Sequence, residues 1–257
     1  MGPEAPQCVT ANSTVTSPAG YRDHTERWLS ALGLGVKEEG ERFRVYPGTI
    51  PAGRWAIPGD PSSAAFLWAA AAARTGARVT TLQVSLNPGR IGFLQVLEAM
   101  GALVNAEVTG SIGGEPIGDV TVTGGRLTAV AIGGDLAVAT LDELPLVAVL
   151  GSLGEGVTRV SDAAELRAKE SDRIASSVAM VKSLGGAAVD TGDGFEVVGT
   201  GWLEPGTVFA AGDHRIAMAA AVAATGCTGP VTIEGADNAD VSWPGFYQML
   251  ETTWSSQ

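Results

Sequence analysis

Six charged side chains crowd into positions 165–173 (Glu-Leu-Arg-Ala-Lys-Glu-Ser-Asp-Arg) of a chain that is otherwise apolar and acidic. Lys169, one of only three lysines with Lys37 and Lys182, stands between Arg167 and Arg173 and beside Glu170. Basic groups next to carboxylates suit a doubly anionic substrate and a reaction that moves protons. Spacings of three and four residues also fit the solvated face of a surface helix, where each pair contributes only ~0.2–0.5 kcal/mol. Position weighs against that reading. The cluster follows an apolar, strand-like run at 156–160 and opens a helix expected over 171–184. At such a junction the first helical N–H groups and the dipole favour an anion.

Composition bounds what can hold this cluster in place. The chain has 257 residues, 45% hydrophobic and 17% charged, with 35 glycines, so it reads as a compact, loop-dense globular protein of one large or two small domains. No apolar run reaches ~18 residues, and the most apolar window, 64–73, is too short to span a bilayer. No basic segment followed by an apolar one opens the chain, so no signal peptide is expected and the cytoplasm is the default location. Two cysteines, Cys8 and Cys227, and two histidines, His24 and His214, give neither a disulfide framework nor a metal spacing. A formal charge of −12 argues against nucleic acid as a partner. A small anion would instead meet a few convergent basic groups that overcome the general field.

Periodicity supplies the frame. Three segments share one layout: a strand ending near an Asp, an apolar helix, a glycine, a β-rich strand and a second amphipathic helix. The anchors Asp60, Asp142 and Asp213 lie 82 and 71 residues apart. Helices are expected over 64–73, up to about 153, and up to about 224; strands over 77–84, 157–160 and 231–234; second helices over 91–100, 171–184 and 244–254. Asp60, Ser62 and Ser63 are candidate caps for the first helix. Glycines follow the expected helix ends at Met100 and Leu184, and again at Leu32, as left-handed caps require. Residues 14–49 therefore read as the second half of a fourth unit. His24, in the run Asp23-His-Thr-Glu-Arg, reads as part of a helix start with Asp and Thr as capping residues, and no chemistry is assigned to it.

Five motifs in order, Arg22-Asp-His-Thr-Glu-Arg, Pro58-Gly-Asp-Pro-Ser-Ser-Ala-Ala, Leu86-Asn-Pro-Gly-Arg, Leu166-Arg-Ala-Lys-Glu-Ser-Asp-Arg-Ile and Gly212-Asp-His-Arg-Ile-Ala-Met, resemble the 5-enolpyruvylshikimate-3-phosphate synthase family. The likeness extends over about residues 14–254. It implies an α/β fold of repeated βαβαββ units, the inside-out barrel of enolpyruvyl transferases, with one complete three-unit domain over 58–257. Residues 1–57 would be an amino-terminal extension and a partial unit of a second domain. It also implies transfer of the enolpyruvyl group of phosphoenolpyruvate to the 5-hydroxyl of shikimate 3-phosphate, with release of phosphate and without metal or organic cofactor. By resemblance, Asp142 accepts the hydroxyl proton, and Lys169 with Glu170 handles protonation at C3 and breakdown of the intermediate. Arg173 and Arg215 grip phosphoenolpyruvate, with His214 orienting the phosphate region. Tyr21 and Arg22 face shikimate 3-phosphate, and Glu165 stands where some relatives place an Asn that contacts it.

The chain also departs from the family. Relatives are longer, and the basic and Gly-rich motifs of their amino-terminal half are absent here; residues 1–13 match nothing expected before the strand at 14–16. Val241 stands where some relatives carry a Lys. Each lost charge-assisted hydrogen bond is worth ~1.5–3 kcal/mol. Three readings follow: an active enzyme that assembles its cleft by self-association, a non-catalytic fragment that binds phosphoenolpyruvate or phosphate, and a split enzyme with a separate amino-terminal half. The related transferase acting on UDP-N-acetylglucosamine shares the fold, but the Arg22 and Lys169 motifs favour the shikimate enzyme.

Overall fold

The computed structural model describes residues 11–17, 22–38 and 41–255. Cys8 and the candidate Tyr21 lie outside the described residues. The chain begins with β1 (Ser13–Thr16), α1 (His24–Ala31), β2 (Gly35–Lys37) and β3 (Arg42–Val45), whose strands form an antiparallel sheet in the order β1-β3-β2. Then come α2 (Pro61–Ala72), β4 (Arg78–Ser85), α3 (Gly92–Ala99), β5 (Leu103–Ile112) and β6 (Glu115–Thr123), in the order β4-β6-β5, with Gly59 bridging in parallel to Val84.

The next unit holds β7 (Ala131–Ile132), α4 (Gly134–Ala139), α5 (Leu144–Leu153), β8 (Glu155–Val160), α6 (Arg173–Ser183), β9 (Ala187–Asp190) and β10 (Phe195–Thr200), ordered β7-β8-β10-β9 with β7 and β8 parallel. Last come β11 (Gly206–Phe209), α7 (His214–Ala224), β12 (Val231–Glu234) and α8 (Phe246–Ser255), with β11 and β12 parallel. The same pattern, a parallel strand, its partner and an antiparallel hairpin folded back on that partner, occurs in the first two of these units, while the last keeps only the parallel pair β11-β12. The first βαββ segment has a hairpin, β2-β3, folded back on β1.

The three apolar helices α2, α5 and α7 pack on one another in the middle. Ten residues of α2, nine of α5 and all of 216–223 in α7 are buried, so these helices are apolar all round rather than striped. Alanine lets the backbones approach, while Leu146 and Leu150 each gain about 1.5–3 kcal/mol by leaving water. The glycines after the helix ends do adopt positive φ: +71° at Gly33, +104° at Gly101 and +75° at Gly185.

Caps correct two sequence expectations. Ser62 and Ser63 do not cap α2: their N–H groups, at 3.2 and 3.1 Å, donate to Asp60, which is the cap. Asp23 makes no side-chain cap for α1, because its carboxylate is taken by Arg27 Nε at 2.7 Å and Asn87 Nδ2 at 2.8 Å. The cluster at 165–173 is also not one helix. A 3-10 turn runs over Ala164–Ala168, Lys169 is extended, and α6 starts only at Arg173.

Candidate active site

Of the three repeat anchors, two do the same job. Asp60 caps α2, and Asp213 caps α7 by accepting from Arg215 N–H at 2.8 Å. Asp142 differs. It sits in a 3-10 turn, Leu141–Glu143, that precedes α5, and its carboxylate takes no cap bond. Instead three arginines converge on it. Arg22, from the loop before α1, pairs with Oδ2; Arg173, the first residue of α6, donates to Oδ1 at 3.2 Å; and Arg215, the second residue of α7, lies 3.7 Å from Oδ2. Burial alone would raise the pKa of Asp142, but Arg215, then Arg22 and Lys169, hold it well below the usual carboxylate range. The group is ionised at any physiological pH.

Arg173 is braced on all sides. Its Nε donates to Asp213 at 2.8 Å and a terminal nitrogen to Glu170 at 2.5 Å, and its side chain is 1% exposed. Ser171 Oγ adds a 3.0 Å bond to Asp213, which Arg173, after the opposing effect of burial, keeps below its ordinary pKa. The turn that presents Asp213 needs two successive left-handed residues, Ala211 at φ +54° and Gly212 at +74°, the first of them costly for a residue with a Cβ. The start of α6, read from sequence as a place for an anion, is partly filled by its own cap. Asp172 already caps that helix by accepting from Ala175 N–H at 3.0 Å.

Arg215 is held more loosely. It donates to the Asp142 carbonyl at 3.1 Å and lies 3.5 Å from Glu143 Oε1. Glu143 is fully buried and also accepts from Ser62 Oγ at 2.6 Å, which in turn accepts from Arg90 at 2.6 Å. Sequence reasoning gave Glu143 and Arg90 no role. The signal was present in a carboxylate directly before the run Leu-Pro-Leu-Val-Ala-Val-Leu and in an arginine at the end of the Asn87-Pro-Gly turn.

Lys169 and Glu170 do not pair with each other. Lys169 Nζ donates to Glu165 at 2.6 Å, while Glu170 turns to Arg173. Arg167 clips Asp172 and Asp190 at 2.7 and 2.6 Å. His214 opens α7, half-buried, and burial followed by the Arg215 charge pushes its imidazole below the ordinary value. Val241 is 82% exposed.

A cleft of about 1140 Å³ opens beside this centre, lined by four cations (Arg22, Arg27, Lys37, Arg42), four carboxylates (Asp23, Glu26, Glu41, Asp135) and the loop Asn87–Gly89. Arg22 faces both the cleft and Asp142. The run around it docks on the β5–β6 turn, with His24 Nδ1 2.5 Å from Glu115 Oε1 and Arg27 donating to the Gly114 carbonyl at 3.3 Å. Within the centre every cation has a carboxylate: Arg22, Arg90, Lys169, Arg173 and Arg215 face Asp60, Asp142, Glu143, Glu165, Glu170 and Asp213. An incoming anion would compete with these carboxylates or take the N–H donors they leave unused.

Among the described residues no helix is long and apolar enough to cross a membrane. A 3-phosphoshikimate 1-carboxyvinyltransferase of Herpetosiphon aurantiacus is 45% identical over 231 residues, 88% of this chain and 54% of that protein. One of Bacillus subtilis is 40% identical over 240 residues, covering 93% and 56%. The chain spans about half the length of the curated relatives it matches. The EPSP synthase of Acinetobacter baumannii superposes with a TM-score of 0.88 at 35% identity, over 95% of this chain and 57% of that one. The enolpyruvyl transferase NikO of Streptomyces tendae, at 19% identity and a TM-score of 0.68 over 95% and 55%, shares the fold. The model of the family EPSP synthase (3-phosphoshikimate 1-carboxyvinyltransferase) matches residues 5–250, so the chain belongs to that family.

Proposed function

We propose that this chain carries the phosphoenolpyruvate side of an enolpyruvyl transfer to the 5-hydroxyl of shikimate 3-phosphate, in the cytoplasm. The observation that carries the reading is Asp142, freed from capping and ringed by Arg22, Arg173 and Arg215. Arg215, loosely paired, is the grip available to phosphoenolpyruvate. Arg22, facing the cleft, is the one available to shikimate 3-phosphate, with Tyr21 beside it in sequence. Asp142 is a weak base while three guanidiniums hold it. Substrate anions that draw off Arg22 and Arg215 would raise its basicity where the hydroxyl proton must go. The hydroxyl oxygen then bonds C2 of phosphoenolpyruvate, and C3 takes a proton from Lys169 or Glu170. Loss of that proton and of phosphate from C2 gives the product. Arg173, sealed from solvent, first braces Asp142 and reaches a ligand by giving up Glu170. Glu165 holds Lys169, and a neutral His214 lies next to Arg215.

A second reading rests on the balance of charge in the centre and on the match to about half of each relative: turnover needs basic groups from a second copy or a separate amino-terminal half. A phosphate-release assay with both substrates tests both readings, run with the chain alone and with a relative's amino-terminal half added. Release abolished by Lys169→Met supports the site; release by neither mixture defeats both readings.

A further inference from the structure

We propose that Glu143, held by Ser62 and Arg90, is a positioning residue for Arg215, so that the first repeat sets the anion grip of the third. The proposal rests on the functional reading above, because it assigns Arg215 to the ligand.

The geometry fixes a single direction of donation. Arg90 donates to Ser62 Oγ at 2.6 Å and to Asp60 at 3.0 Å. A guanidinium only donates, so the one Ser62 proton is left for Glu143 Oε1, 2.6 Å away. That oxygen also lies 3.5 Å from Arg215, which further donates to the Asp142 carbonyl at 3.1 Å and lies 3.7 Å from Asp142 Oδ2. Ser62 and Glu143 are 2% and 3% exposed, so no water competes for these bonds. An apolar residue at 143 would fill the space without desolvating a charge, and buried ion pairs seldom out-stabilise such replacements. A carboxylate here therefore needs a reason other than stability. At 3.5 Å it attracts Arg215 without locking it, unlike the 2.8 Å pair that seals Arg173. Burial, the largest influence, pushes the Glu143 carboxyl above its ordinary range, with the charge of Arg215 and the Ser62 hydrogen bond opposing it.

The test is a double-mutant cycle read by phosphoenolpyruvate titration of the full chain. Ser62→Ala and Glu143→Gln should each weaken binding about five- to tenfold, and change it less than about twofold when Arg215 is already Ala. Equal losses in both backgrounds, or no loss in the first, overturn the proposal. A chain that binds no phosphoenolpyruvate defeats the functional reading instead. In that case the side-chain Nε–H resonance of Arg215 decides: it should move in both variants while that of Arg159, paired with Glu196 on the surface, stays in place. An unmoved Arg215 resonance overturns the positioning role.

Discussion

Two aspartates hold arginines where the repeats meet, and they hold them in opposite ways. Asp213 and Arg173 are 0% and 1% exposed, and Asp213 also caps a helix and accepts from Ser171. Asp142 and Arg22 are 10% and 38% exposed, and Arg22 lines an open cleft. The first pair is part of the fold. The second lies at the cleft, where water reaches the arginine. Like residues in like repeats thus divide into a structural pair and a cleft-facing one, according to how many other bonds each carboxylate carries and how much water reaches the arginine.

The contrast is sharpest in Arg173→Ala, which leaves Asp213 buried without its cation. Loss of about 3–5 kcal/mol of stability is expected in denaturant unfolding. An unchanged midpoint would put Arg173 in the same class as Arg22. Arg215→Ala comes next. It strips the buried Glu143 of its cation and should cost about 1–3 kcal/mol, and it should weaken phosphoenolpyruvate binding in calorimetry while leaving it measurable. Its fold is therefore less indifferent to the change than a cleft arginine read from sequence would be.

Arg22→Ala should cost under about 1 kcal/mol, since the arginine is partly exposed and Asp142 keeps two other arginines. Its effect belongs in the affinity for shikimate 3-phosphate, measured by titration; a stability loss as large as that of Arg173→Ala would erase the distinction. The smallest effect concerns pH. The folded pKa of His214 is depressed below its ordinary 6.5, so its contribution is present above that value and is lost as pH falls through the folded value. His214→Gln should flatten the fall in Tm between neutral and mildly acidic pH.

Much of the fold was legible. The strand at 231–234 coincides with β12, the glycines after Leu32, Met100 and Leu184 sit where helices end, and the Asp spacing marks real repeats. These are local signals: apolar period, a missing Cβ where φ is positive, an anchor before an apolar run. The partners of each charge were not legible. Glu170 looked like the neighbour of Lys169, yet an extended Lys169 turns one side chain to Glu165 and the other to Arg173. Asp23 looked like a cap and was claimed by Arg27 and Asn87, the latter 64 residues away.

The sequence by itself determined the elements, their repetition and the kinds of group available for chemistry, because propensity, hydrophobic period and turn conformation act over a few residues. Only the tertiary structure decided which aspartate stays out of a helix cap, which arginine is sealed and which faces the cleft. Those outcomes depend on bonds between residues up to 120 positions apart, as in Arg22 and Asp142, and on how much water the packing of α2, α5 and α7 leaves around them.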